Sequence, residues 1–253
     1  MILALPGALI VGLSLGLLGS GGSILTVPIL VYILGQDEKV AIASSLAIVA
    51  LISAVGVIPF IQERLVQWRT ALIFGAPGIV GTYAGAAVSA YVSGNVQMLV
   101  FAVVMFGAAY FMLKPGKPMA CQKEPNLHLI SAEGFVVGAV TGFVGVGGGF
   151  LIVPALVLLA GLTMQQAVAT SLVIITAKSV AGFAKYVEIV GDLNLNIDYG
   201  VIVFFAVAGI AGSLVGGRIA CRLPQDKLKT GFGVFLVAMA FFILTQSAPG
   251  LIT

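Results

Sequence analysis

Two glycine clusters, Gly19-Ser20-Gly21-Gly22-Ser23 and Gly145-Val146-Gly147-Gly148-Gly149, interrupt long apolar runs at positions offset by 126 (145 − 19). Irregular backbone at membrane depth is tolerated only where protein buries it or where it lines a cavity. A half-helix beginning after such a cluster presents free N–H groups and the positive end of its dipole. Glycine lets those amides approach a ligand closely. Helix ends of this kind suit anions, and paired breaks at matching repeat positions point to a transporter's central site. The competing reading is close helix packing, because small residues abound in membrane helices. Two copies at one repeat position, each followed by a proline (Pro28, Pro154), favour the functional reading. The candidate substrate-binding residues are thus Gly19, Ser20, Gly21, Gly22 and Ser23 in one copy, with Gly145, Gly147, Gly148 and Gly149 in the other.

Three side chains join them. Ser45 and Ser171, matched across the copies in Ser44-Ser45-Leu46 and Thr170-Ser171-Leu172, place hydroxyls near the start of an apolar segment. Such hydroxyls either turn to a cavity or bond their own helix. Lys178 lies about a dozen residues into its segment, too deep for easy escape. A charge at a helix centre costs ~2.5–3.5 kcal/mol on insertion scales and usually faces a protein interior or a wet pathway. Its repeat mate is Ile52, so it breaks the symmetry. An anion attractor or gate is the expected role, with snorkelling to an interface as the alternative.

The elements that carry these residues must be membrane helices. Of 253 residues, 60% are apolar and 8% charged, with a mean hydropathy of +1.18. Soluble domains carry roughly a quarter charged residues. That excludes a soluble enzyme, a nucleic-acid binder and a disordered chain. The N-terminal stretch has no basic n-region and reads as part of the fold rather than as a cleaved signal.

The class is an all-α polytopic membrane protein made of two four-segment repeats. Apolar segments fall at about 5–34, 40–61, 70–91 and 96–113, then at about 130–160, 166–187, 199–220 and 228–244. Later in each half the offset becomes 131 (209 − 78), which places a five-residue insertion in the polar loop around Asp192–Asn196. The first repeat occupies 1–114, a cytoplasmic linker 115–129 and the second repeat 130–253. The first segment of each half, about thirty residues, exceeds a ~30 Å hydrocarbon core as one helix. It is expected to be broken and re-entrant at its glycine cluster. Only then do the basic residues segregate: all but Lys39, Lys185 and the intramembrane Lys178 share one side, which the positive-inside rule assigns to the cytoplasm. The repeats are then expected to be inverted with both termini extracytoplasmic, the rival being a packed eight-span bundle with parallel repeats.

The duplicated G-x-G-G-[GS]-x-x-x-V-P segment, each copy followed by an alanine-rich helix with [ST]-S-L, resembles the sulfite exporter TauE/SafE family of bacterial membrane permeases. The resemblance runs from about Leu5 to Leu244. It implies movement of sulfur-containing anions (sulfite, thiosulfate, sulfonates) across the cytoplasmic membrane, in the export direction. Ser20 and Ser23 stand where the second copy has Val146 and Gly149, so the copies differ in hydroxyls.

No cofactor, metal or nucleic acid is expected; the partners are a small anion and the bilayer, with homo-oligomers left open. An intramembrane enzyme would need a paired nucleophile and base, and the single histidine, His128, lies in the linker. Transport of another solute, or a channel on the same fold, is the alternative. Cys121 and Cys221 are too isolated for a thiolate site. No acidic residue falls clearly inside a segment, which points to export driven by the membrane potential.

Overall fold

The computed structural model describes residues 4–19, 21–113, 127–144, 149–158 and 160–247, which contain helices and no strands. The helices are α1 (Ala4–Leu18), α2 (Gly21–Pro28, continued by a π-helical turn Ile29–Ile33), α3 (Glu38–Gly56), α4 (Ile58–Gln62), α5 (Trp68–Ser89) and α6 (Gly94–Leu113). They are followed by α7 (Leu127–Val144), α8 (Gly149–Leu158), α9 (Met164–Asp192), α10 (Tyr199–Ala220) and α11 (Gln225–Ser247). Among the described residues, five helical stretches are long and apolar enough to cross a bilayer: Glu38–Gln62 (α3 with α4), Trp68–Ser89, Met164–Asp192, Tyr199–Ala220 and Asp226–Thr245.

Local chemistry sets the helix ends. Asp37 accepts from the Lys39 N–H, Thr163 and Gln166 form a capping box, and Asp198 accepts from Gly200 and Val201. Each satisfies orphan donors of a first turn. Gly35 and Gly161, both at φ +66°, end α2 and α8 in the left-handed conformation that glycine adopts without penalty. The residue after each glycine closes the same bond, Gln36 to the Leu30 carbonyl at 3.0 Å and Leu162 to the Leu156 carbonyl at 3.1 Å.

The first long segment folds back on itself. The backbone leaves α1 at Gly19 with φ +70°, and Gly22 then lies against the Val11 carbonyl and the Leu15 side chain. In one straight helix those residues would be ~10–16 Å apart. Gly7 faces Ile29 in the same way, so α2 runs antiparallel to α1.

Glycine stripes set the other crossings. Gly12 and Gly16 of α1 lie on Gly209, Ser213 and Gly217 of α10. Gly134, Gly138 and Gly142 of α7 lie on Phe74, Gly78 and Thr82 of α5. Within lipid there is no hydrophobic force between helices, so close backbone approach supplies the attraction. Residue numbers rise together in both pairs, so each pair is parallel. The α3 and α9 helices are antiparallel instead, with Leu46 beside Gly182 and Ser53 beside Thr176. Following these pairings, α1, α3 and α10 run one way, and α5, α7 and α9 the other. Arg64, Arg69, Arg218, Arg222, Lys227 and Lys229 thereby fall at one end of the bundle, Lys39 and Lys185 at the other, and Lys178 is the middle residue of α9.

One sequence expectation is corrected. The extra residues of the second copy do not all sit in the Asp192–Asn196 loop. Matching turns at Arg64 and Asn194, both near φ +55°, are offset by 130 (194 − 64), while Gly56 and Gly182 are offset by 126. Most of the insertion is therefore absorbed inside α9, which continues where its counterpart breaks into α3 and α4.

Candidate functional site

The Gly19 turn is wedged against α9. Ser171 donates its hydroxyl to the Gly19 carbonyl oxygen at 3.1 Å and to the Val168 carbonyl oxygen at 2.8 Å. A Cβ at Gly19 would come within 2.7 Å of Ser171 Oγ and 2.9 Å of Val168 Cα, so only glycine fits the approach as well as the positive φ. Gly21 opens α2 and Gly22 seats that helix on α1. On α2, Thr26 donates to the Gly22 carbonyl at 2.6 Å, and Pro28 has no N–H to return to Ile24.

The remaining sequence candidates divide. Ser45 is buried and donates to the Ile42 carbonyl at 2.8 Å. Ser23 and Gly149 lie within α2 and α8, whereas Ser20, Gly145, Gly147 and Gly148 lie outside the described residues. Among the neighbouring hydroxyls, Thr170 accepts from the Gln67 N–H at 3.0 Å, and the buried Ser44 hydroxyl has no partner.

Lys178 is 0% exposed and, among the described residues, its Nζ has no hydrogen-bond partner. Its stem lies over Gly78, where a Cβ would meet Lys178 Cδ at 3.4 Å, Cε at 3.5 Å and the Gly134 carbonyl oxygen at 3.2 Å. The ammonium therefore ends where α5, α7 and α9 meet. It is two turns along α9 from Ser171, about 10 Å by helix rise. Ser171 is thus joined to Gly19, and Lys178 occupies a separate level deeper in the bundle.

One carboxylate oxygen near that level is buried. Glu133, expected near a segment end, is half-buried in the second turn of α7, next to Gly134, and its Oε2 is buried without a partner among the described residues. Its signal in the sequence was present: Glu133 precedes the Gly134-Gly138-Gly142 spacing that makes α7 a packed helix rather than a frayed end.

A profile of the sulfite exporter TauE/SafE family matches residues 4–243. The chain belongs to the sulfite exporter TauE/SafE family.

Relatives extend the likeness over whole chains. A probable membrane transporter protein of Xylella fastidiosa (strain 9a5c) is 31% identical across 100% of this chain and 98% of its own. Proteins of the same description from Methanocaldococcus jannaschii and Bacillus subtilis are 26% and 28% identical, covering 96% and 93% of this chain and 96% and 92% of their own. No solved structure matches. This TauE/SafE protein is therefore a multi-pass membrane transporter.

Its other singular side chains are peripheral. Trp68 and Tyr199 open α5 and α10 and are 55% and 62% exposed, as befits rings at a lipid–water interface. Cys221 follows α10, where burial pushes its thiol up and the Glu63 carboxylate adds to the shift.

Proposed function

We propose that this TauE/SafE transporter moves small sulfur-containing anions, of the sulfite, thiosulfate or sulfonate type, outward across the cytoplasmic membrane, with both chain termini on the far side. The observation that carries the reading is Lys178: an ammonium wholly enclosed at the middle of a membrane helix, with no partner among the described residues. A cation held this way is costly unless something compensates it. A transient anion does so, and its own dehydration is offset in the same contact. The first turn of α2, which opens at Gly21 beside the Gly19 turn, adds backbone amides, and the Ser171 hydroxyl lies two helical turns from Lys178, giving an anion successive resting places.

Outward movement needs no second solute. One elementary charge crossing 100 mV is worth ~2.3 kcal/mol, so an inside-negative potential expels an anion. A second reading, transport of another small solute or ion on the same fold, is favoured by the buried Glu133 oxygen.

Thermal shift of the purified protein with sulfite, thiosulfate, sulfonates, sulfate and nitrite, followed by flux into proteoliposomes, tests the assignment. Stabilisation and saturable flux for the sulfur oxyanions are expected. A response to cations or amino acids alone replaces the first reading by the second.

A further inference from the structure

The two ends of the bundle are built differently. Where α3 begins, Lys39 is 9% exposed and places its Nζ 2.7 Å from the Ser89 carbonyl oxygen, 3.0 Å from that of Val92 and 2.6 Å from Gln97 Oε1. Gln97, 0% exposed, donates its Nε2 to the Phe143 carbonyl and to Tyr186 Oη, the latter at 3.1 Å. The Tyr186 hydroxyl faces the Phe143 and Gly142 carbonyls at 3.3 and 3.4 Å. One hydrogen-bonded group thus ties the start of α3, the turn after α5, the first turn of α6 and the C-terminal third of α9 to the last turn of α7.

At the opposite end only part of this exists. Gln165, which occupies the Lys39 position in the second copy, caps the corresponding turn through the Ala220, Cys221 and Leu223 carbonyls at 3.4, 3.2 and 3.3 Å. The counterpart of Gln97 is Leu228, a buried side chain with nothing to pass a hydrogen bond onward to α1. Separating helices at the Leu228 end exchanges one apolar contact for lipid. Separating them at the Gln97 end strands a lysine, an amide, a phenol and two carbonyls where water is scarce.

We propose that Gln97 and Tyr186, held by Lys39, are a latch on the C-terminal end of α7 that keeps the Lys39 end of the transporter shut, so that exchange with solution begins at the Leu228 end. The inference rests on reading the chain as a carrier that opens alternately at its two ends. Its test needs no solute, so absence of flux would count against the substrate assignment and leave the latch to be judged separately.

Val144 ends α7 and is 0% exposed, and Leu17 lies at the corresponding end of α1. Each is changed singly to cysteine in full-length protein carrying Cys121→Ser and Cys221→Ser, reconstituted in liposomes and treated with a maleimide. The thiol of the Val144→Cys variant is expected to label slowly. Adding Gln97→Leu, the residue the other half uses, accelerates that labelling at least tenfold and leaves the Leu17→Cys variant within twofold. Lys39→Gln is the milder second variant, because Gln165 shows that glutamine closes the same turn; it gives a smaller acceleration at the same site. Unchanged labelling of the Val144→Cys variant in both backgrounds overturns the latch. Equal acceleration at both cysteines, with a lowered melting temperature, also overturns it, because that is general loosening.

Discussion

Lys178 lies across Gly78 of α5 as Ile52 lies across Gly209 of α10. The four positions are repeat mates, and in both places a long stem covers a glycine at a three-helix junction. Packing there asks for a stem and nothing more, as Ile52 shows. The ammonium is an addition that packing does not explain and that costs ~2.5–3.5 kcal/mol to insert. Lys178→Met is therefore expected to melt at or above the parent temperature while anion flux falls at least tenfold. Parental flux in proteoliposomes would remove Lys178 from the mechanism.

Ser171 and Gly19 are coupled through one hydroxyl and one carbonyl. Ser171→Ala leaves the Gly19 carbonyl without that donor and costs about 1 kcal/mol, the scale of a hydrogen bond between membrane helices. Gly19→Ala costs more, because the φ of +70° and the contacts of 2.7 and 2.9 Å both oppose a methyl group. Melting curves of the two variants should rank in that order; the reverse ranking would mean the turn relaxes freely.

Backbone-on-backbone crossings tolerate no side chain. A Cβ at Gly81 would lie 2.2 Å from the Phe135 carbonyl oxygen, and one at Gly138 2.2 Å from that of Gly78. Gly81→Val or Gly138→Val forces α5 and α7 apart, and folded yield on size exclusion should collapse. Gly107→Ala and Gly231→Ala, where nothing lies within 4 Å, should elute like the parent.

Energy coupling is read from two vesicle experiments. With a fixed anion gradient, collapsing the potential should slow anion flux severalfold, and Glu133→Gln should keep that response. Flux that ignores the potential but follows a pH gradient lost in Glu133→Gln would assign the buried carboxylate a proton-coupling role.

The Cys221 thiol is raised by burial first and by Glu63 second. A raised thiol pKa means less thiolate at any neutral pH, hence slow alkylation. In a Cys121→Ser background the rate should climb with a midpoint above the ~8.5 of a free cysteine. Glu63→Gln should bring the midpoint down, and a midpoint at or below the free value would contradict the burial seen after α10.

Composition alone determined the membrane class, because 8% charged residues cannot coat a soluble surface of this length. Apolar length located the helices within a few residues, and Gly19 and Lys178 stood out because each violates a rule of lipid-embedded chains. What one-dimensional spacing could not decide was contact. The Ser171–Gly19 bond closes over 152 residues, and the Lys39–Gln97–Tyr186 group gathers side chains separated by up to 147 positions (186 − 39). Glu133 reads as near-terminal in the sequence and stands in the second turn of α7, but the burial of one of its oxygens shows only in the packing. The insertion looked like loop because polar residues mark loops, yet α9 absorbed most of it by continuing where α3 breaks. Periodicity records which face of a helix is buried; only the crossing of two helices says what that face is buried against, and here backbone proximity through glycine made that choice.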